Sequence, residues 1–184
     1  MNFKITASLI AILSLVLIQS CTIPNPYQQV NNNTNNNTGV DDDDNESGGN
    51  SGSTTGNTGG TNSTIGSNRS HNIGQDCLNC HKPGGGEAPT WRVGGTVYNE
   101  GATLTNPNAI IKLYTGPNGT GTLKYILNVD AKGNFYTSGT IDFTGGLYPA
   151  ATGSTGTNYM SFSTTNGACN SCHTGTTTGR IWTN

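Results

Sequence analysis

Charge is scarce in this chain. Only 10% of its 184 residues are Asp, Glu, Lys or Arg, and the formal net charge is −2. From His71 onward Lys82, Arg92, Lys112, Lys124, Lys132 and Arg180 face Asp76, Glu87, Glu100, Asp130 and Asp142, close to balance. No basic stripe results, which excludes the electrostatic footprint of a nucleic-acid binder. Helical periodicity is also missing. Gly, Thr and Asn are abundant, and no segment repeats apolar residues every 3.6 positions. The triple glycine Gly84-Gly85-Gly86 follows no strand and precedes no Gly-Lys-Ser/Thr, so it is not a phosphate loop. Its backbone is free to approach a flat ligand, or to serve as a plain loop. Histidine is limited to three residues and methionine to two. Potential metal ligands are therefore few enough to name individually.

Five cysteines are present, and their spacing is informative. Four form two pairs, Cys77-Leu78-Asn79-Cys80 and Cys169-Asn170-Ser171-Cys172, each followed at once by a histidine, His81 and His173. Cys-x-x-Cys-His is the c-type haem attachment pattern. Two thiols add across the two vinyl groups of one haem, and the intervening residues set the sulfur separation. The next side chain then falls beneath the ring, where an imidazole nitrogen can bind iron. Structural disulfides and a zinc site compete with this reading. Disulfides leave the histidines unexplained, and two His-terminated pairs over-supply one tetrahedral ion. The expectation is two covalently attached haem c groups, on Cys77 and Cys80 and on Cys169 and Cys172, with His81 and His173 as iron ligands.

The N-terminus reads as an export signal. Lys4 precedes an apolar run from Ile5 to Ile18, interrupted by Thr6, Ser8 and Ser14. That run is short for a membrane span and fits a secretory signal. It ends Leu17-Ile18-Gln19-Ser20-Cys21, which resembles the bacterial lipobox. The resemblance implies cleavage after residue 20 and acylation of Cys21, anchoring the protein at the outer membrane on its periplasmic or cell-surface face. Residues 21–70 then read as a tether rich in Asn, Thr, Gly and Asp, with too few apolar side chains to offset the entropy cost of folding. A coil of that length reaches roughly 35–45 Å. Asp41 to Asp44 read as a solvated spacer within it.

Residues 71–184 carry the expected fold. Segments 91–98, 109–114, 122–129 and 134–137 are β-prone, with turn signals at Thr115 to Gly121 and Asp130 to Gly133. Ile141 to Phe143 and Tyr159 to Ser163 are further strand candidates. The class is all-β, a small sandwich or barrel. The runs Gly95-Thr96-Val97-Tyr98, Ala109 to Tyr114 and Asp130 to Tyr136 resemble the carboxypeptidase regulatory-like, transthyretin-like domains. That resemblance implies a seven-stranded Greek-key β-sandwich over about half of the folded region. It transfers no catalytic residue. Both haem motifs fall outside it, one before the first strand and one after the last.

The second ligand of each iron must come from a short supply. His71 is the only other histidine, and Met160 the only methionine besides Met1. Both are candidate metal ligands, because no cysteine is left over and His/His or His/Met sets close an electron-transfer haem. His71 lies six residues before Cys77, a short loop for reaching the far face of its own haem. A crossed pairing is therefore expected, Met160 with the first motif and His71 with the second. The function that follows is electron carriage between other redox proteins or cytochromes, alone or by self-association, at a membrane held through the lipid anchor. A peroxidase-like enzyme or a haem-based sensor is the alternative, and it requires one open iron.

Overall fold

The computed structural model describes residues 60–85 and 89–184. The signal segment, Cys21, the tether before residue 60 and Gly86 lie outside those residues. The regular structure of the described residues is mostly strand, arranged in two sheets, with little helix. No helix among the described residues is long and apolar enough to cross a membrane.

The first sheet is built on β1 (Val93–Tyr98), and the second on β2 (Ile110–Tyr114) and β3 (Leu123–Asn128). The chain then continues through β4 (Asn134–Thr137), β5 (Tyr148–Thr152), β6 (Thr157–Tyr159), β7 (Gly167–Ala168) and β8 (Ile181–Trp182). One sheet runs β4-β1-β7, with β8 also paired to β1, and the other runs β3-β2-β5-β6. β1 pairs antiparallel with β4 and parallel with β7 and β8. Two single-turn helices complete the fold, α1 (Cys77–Cys80) and α2 (Cys169–Cys172).

Alternation sets the core. Ile111 and Leu113 of β2 and Tyr125 and Leu127 of β3 point inward, their neighbours less so. They join Val93, Val97 and Phe135 of the first sheet in one apolar cluster. The turn between β3 and β4 is an Asx turn: Asp130 Oδ1 accepts from the N–H groups of Lys132 at 2.9 Å and Asn134 at 3.0 Å. Gly133 supplies the positive φ of 86° that the turn requires.

β1 departs from alternation, because all six of its residues are buried. Elements therefore cover both of its faces. Gly94 pairs with Tyr136 and Gly95 with Phe135, so each glycine has an aromatic residue across the ladder. These pairs compensate for glycine, which alone weakens a strand.

Several expectations change. Ile141 to Phe143 form no strand, and the strand expected over 159–163 lies at Thr157–Tyr159. β5 and the two-residue strands β7 and β8 were not expected. Pro149 and a Gly/Thr-rich setting mask β5, whereas β7 and β8 exist only through pairing with β1. The second Cys-x-x-Cys-His segment precedes β8 and so does not follow the last strand. The packed chain also begins before residue 71. Ser63 is buried and its Oγ donates to the Asn128 carbonyl at 2.6 Å, while Asn62 bridges to Thr137. Polar groups satisfied by backbone make this attachment, so a search for apolar residues passes over it.

Phe135 is 1% exposed and lies between the two sheets. Phe135→Ala is expected to cost about 3–5 kcal/mol. Chemical unfolding followed by circular dichroism checks this.

Candidate haem-attachment sites

The two Cys-x-x-Cys-His segments fold alike. In each, the four residues from cysteine to cysteine make one helical turn. The histidine N–H closes it on the first cysteine's carbonyl, His81 to Cys77 at 2.9 Å and His173 to Cys169 at 3.0 Å. The histidine backbones nearly coincide, with φ −86°, ψ 55° at His81 and φ −85°, ψ 49° at His173. The starts differ. Asp76 caps α1 by accepting from the Leu78 N–H at 3.2 Å. Ahead of α2, Asn166 Oδ1 instead accepts from the Ala168 N–H at 3.0 Å.

Both imidazoles are locked in the same way. His81 Nδ1 lies 2.8 Å from the Pro89 carbonyl, and His173 Nδ1 lies 2.7 Å from the Gly179 carbonyl. A carbonyl only accepts, so Nδ1 carries the proton in each ring and donates it. Nε2 is then left with a lone pair, the form in which imidazole binds a metal, and its ring is fixed by the carbonyl behind it.

Two of the thiols are shifted away from the thiolate form. Burial raises the Cys77 thiol to about 11, with Asp76 adding to the shift. Burial, with Cys77 nearby, raises Cys169 to about 12. Reactive cysteines are shifted the other way, which sets aside a thiol-protease-like site. Cys77, Cys169 and Cys172 are free thiols.

β1 carries both turns. A Cβ on Gly94 would lie 2.8 Å from Cys77 Cβ, and one on Gly95 would lie 3.0 Å from Cys169 Cβ. Successive strand residues face opposite ways, so the first cysteines of the two motifs sit against opposite faces of one strand. Asn170, 1% exposed, ties the turns together. Its Nδ2 donates to the Gln75 carbonyl at 2.9 Å and to Thr96 Oγ1 at 3.1 Å, and its Oδ1 accepts from the Thr96 N–H at 3.2 Å. Thr96 Oγ1 also accepts from the Gly74 N–H and donates to Asn134 Oδ1. Motifs some ninety residues apart in sequence thus share one buried polar network.

The surroundings of the motifs differ. Cys169, Cys172 and His173 line an apolar cavity of about 340 Å³ with Leu113, Ala151 and Met160. The Met160 N–H donates to the Pro149 carbonyl at 2.9 Å, holding that residue at the cavity wall. Cys77, Cys80 and His81 line a hollow of only about 40 Å³, with Ser70, His71, Gln75, Asp76 and Asn134. The His71 and His81 ring centroids are 5.7 Å apart. His81 stacks on Trp91 at 3.5 Å, and Trp91 stacks on Tyr136 at 4.2 Å. Desolvation, then His81 and Lys132, lower the His71 pKa and favour its neutral form. His71 therefore lies beside the first motif rather than the second. Asn134 Nδ2 holds the His71 carbonyl at 3.1 Å, bringing His71 back over the first motif, and Met160 lies with the second.

The chemistry of a haem can be tested against these residues. At the second motif the cavity falls within the 300–1,000 Å³ range of small-molecule sites, its walls are apolar, and two sulfurs and a locked imidazole line it. The donor set and enclosure fit. At the first motif the donor set fits equally and Trp91 offers a buried indole N–H with no partner. The hollow there is too small to enclose a porphyrin. Among the described residues, no three His, Cys, Asp or Glu side chains converge as a metal cluster.

Sequence reasoning missed Asn170, Thr96 and the Trp91 stack. The paired glycines inside a β-prone run were a usable signal, since glycine within a strand marks close backbone approach. No protein-family model matches the chain, and no curated protein or solved structure is significantly similar to it.

Asn170→Ala leaves the Thr96 N–H without its buried acceptor. The expected loss is about 1–3 kcal/mol of stability, with Asn170→Asp recovering only the accepting half. Denaturant titration of the three proteins measures both effects.

Proposed function

We propose that the chain is an exported c-type cytochrome that holds two covalent haems and carries electrons at the cell envelope. One observation supports this most strongly. Two sequence-distant histidines, each directly after a Cys-x-x-Cys turn, donate Nδ1–H to a backbone carbonyl and keep Nε2 free. A disulfide scaffold needs no such arrangement. A shared zinc site needs the two sets to converge, whereas they seat on opposite faces of β1.

In this reading Cys77, Cys80, Cys169 and Cys172 form the thioethers, and His81 and His173 are iron ligands. His71 and Met160 complete the sets. A haem supplies a one-electron couple, and the protein sets its potential through ligands, burial and hydrogen bonding. The two-sheet fold is read as a Greek-key β-sandwich similar to the carboxypeptidase regulatory-like domains, serving as a rigid mount with no substrate chemistry of its own. Cys21 is the lipid attachment point at the outer membrane, and the tether lets the domain move between redox partners.

Absorption spectra with added carbon monoxide test the carrier reading. Two closed, low-spin haems bind carbon monoxide slowly and partially. Rapid binding identifies an open iron and favours the peroxidase or sensor alternative. Substituting Cys77 and Cys80 together with serine removes half of the covalent haem, and the Cys169 and Cys172 pair removes the other half.

A further inference from the structure

His81 ends a short surface turn, yet it is only 5% exposed. Trp91 stacks on its ring, and the His71 ring stands 5.7 Å away, tilted by 30°. His71, with Ser70 and Asn72, walls the hollow of about 40 Å³ at the first motif. These three residues end the segment 60–72, which follows the edge of β4 before it reaches the motif.

Polar bonds to β4 and its turn hold that segment. The Ser63 N–H donates to the Tyr136 carbonyl at 3.0 Å, and Ser63 Oγ accepts from the Tyr136 N–H at 2.9 Å. The Ser138 N–H donates to the Thr61 carbonyl, and the Ala131 N–H to the Ser67 carbonyl. At the far end Lys132 Nζ donates to the Ser70 carbonyl at 2.6 Å, and Asn134 Nδ2 to the His71 carbonyl at 3.1 Å. Apolar burial adds little, since Ile65 is 63% exposed and Ile73 47%. A segment held by hydrogen bonds of modest net strength opens at lower free energy than a packed core. Just beyond it the chain is fixed again. The Gly74 N–H donates to Thr96 Oγ1, and the Gln75 carbonyl accepts from Asn170. Between these anchorages Asn72 (φ 51°) and Gly74 (φ 77°) adopt left-handed backbone, a sharp bend on which the segment can turn.

We propose that residues 60–72 are a strap that lifts from β4 about this bend, uncovering His81 and widening the first motif while both sheets stay folded. The hollow too small for a porphyrin is then the closed state of that site. Use of the open state to admit a flat macrocycle rests on the dihaem reading; the strap itself rests on its own contacts. The second motif needs no such step, because its cavity already measures about 340 Å³.

Hydrogen exchange and diethyl pyrocarbonate labelling of the full, cofactor-free chain test this. The Ser63, Ala131, Tyr136 and Ser138 amides, all bonded across the strap contact, are expected to exchange at one common rate, faster than the amides shared by β2 and β5. Labelling of His81 should follow that rate. Lys132→Ala loosens only the far end of the strap, yet it should speed both the Ser63 amide and His81 labelling by on the order of tenfold. His173 labelling and the β2 amides should not change. Ser63→Ala should act in the same direction from the other end. Strap amides that exchange only at the core rate overturn the proposal, as does His81 labelling unmoved by Lys132→Ala. Counting haems on the chain matured in an exporting host separates the two failures. Fewer than two haems on a chain with a fast strap overturns the dihaem reading alone; two haems on a chain whose strap opens only with the core overturns the strap alone.

Discussion

Two adjacent positions on one strand must carry no side chain. Gly94 and Gly95 leave room for the first cysteine of each motif, Cys77 on one face of β1 and Cys169 on the other. A Cβ at Gly95 would also come within 2.6 Å of the Phe135 ring, in the core between the sheets. The same pair of missing side chains therefore closes the core and seats both turns. Tyr136 and Phe135, across the ladder, supply the apolar area that the glycines lack. The buried Asn170 amide then fixes the second turn against Thr96 and the segment leading into the first.

Much of the fold was legible because it depends on local signals. β2, β3 and β4 fall within a residue or two of their expected bounds, set by alternating β-branched and aromatic residues and by the Asp130 to Gly133 turn. What escaped was non-local. β7 and β8 are two residues each and draw their hydrogen bonds from β1. The attachment of Asn62 and Ser63 is polar and rests on the β3 and β4 backbones. The candidate site divides in the same way. The cysteines and following histidines were plain from spacing, whereas the partners of His71 and Met160 depended on how the chain returns. A crossed pairing looked easier from loop length. The Asn134 side chain, which fastens His71 beside its own motif, is visible only once β4 is in place.

The proposed function joins these parts. A carrier needs rigid cofactors, because movement around the iron raises the cost of changing its charge. Here each imidazole is braced by a carbonyl, one of them within an aromatic stack of His81, Trp91 and Tyr136. Burial holds the Cys77 and Cys169 thiols away from the thiolate form that reactive cysteines use. The proposed tether and lipid anchor would keep this rigid mount near a membrane while leaving it free to turn.

The state of the four motif cysteines decides the central claim. The most direct measurement is the denatured intact mass of the chain, matured in an exporting host, combined with alkylation of free thiols. The account predicts a mass increase of two haems and no alkylation at Cys77, Cys80, Cys169 or Cys172. A haem-free mass, with these cysteines alkylated or linked as disulfides, would contradict it.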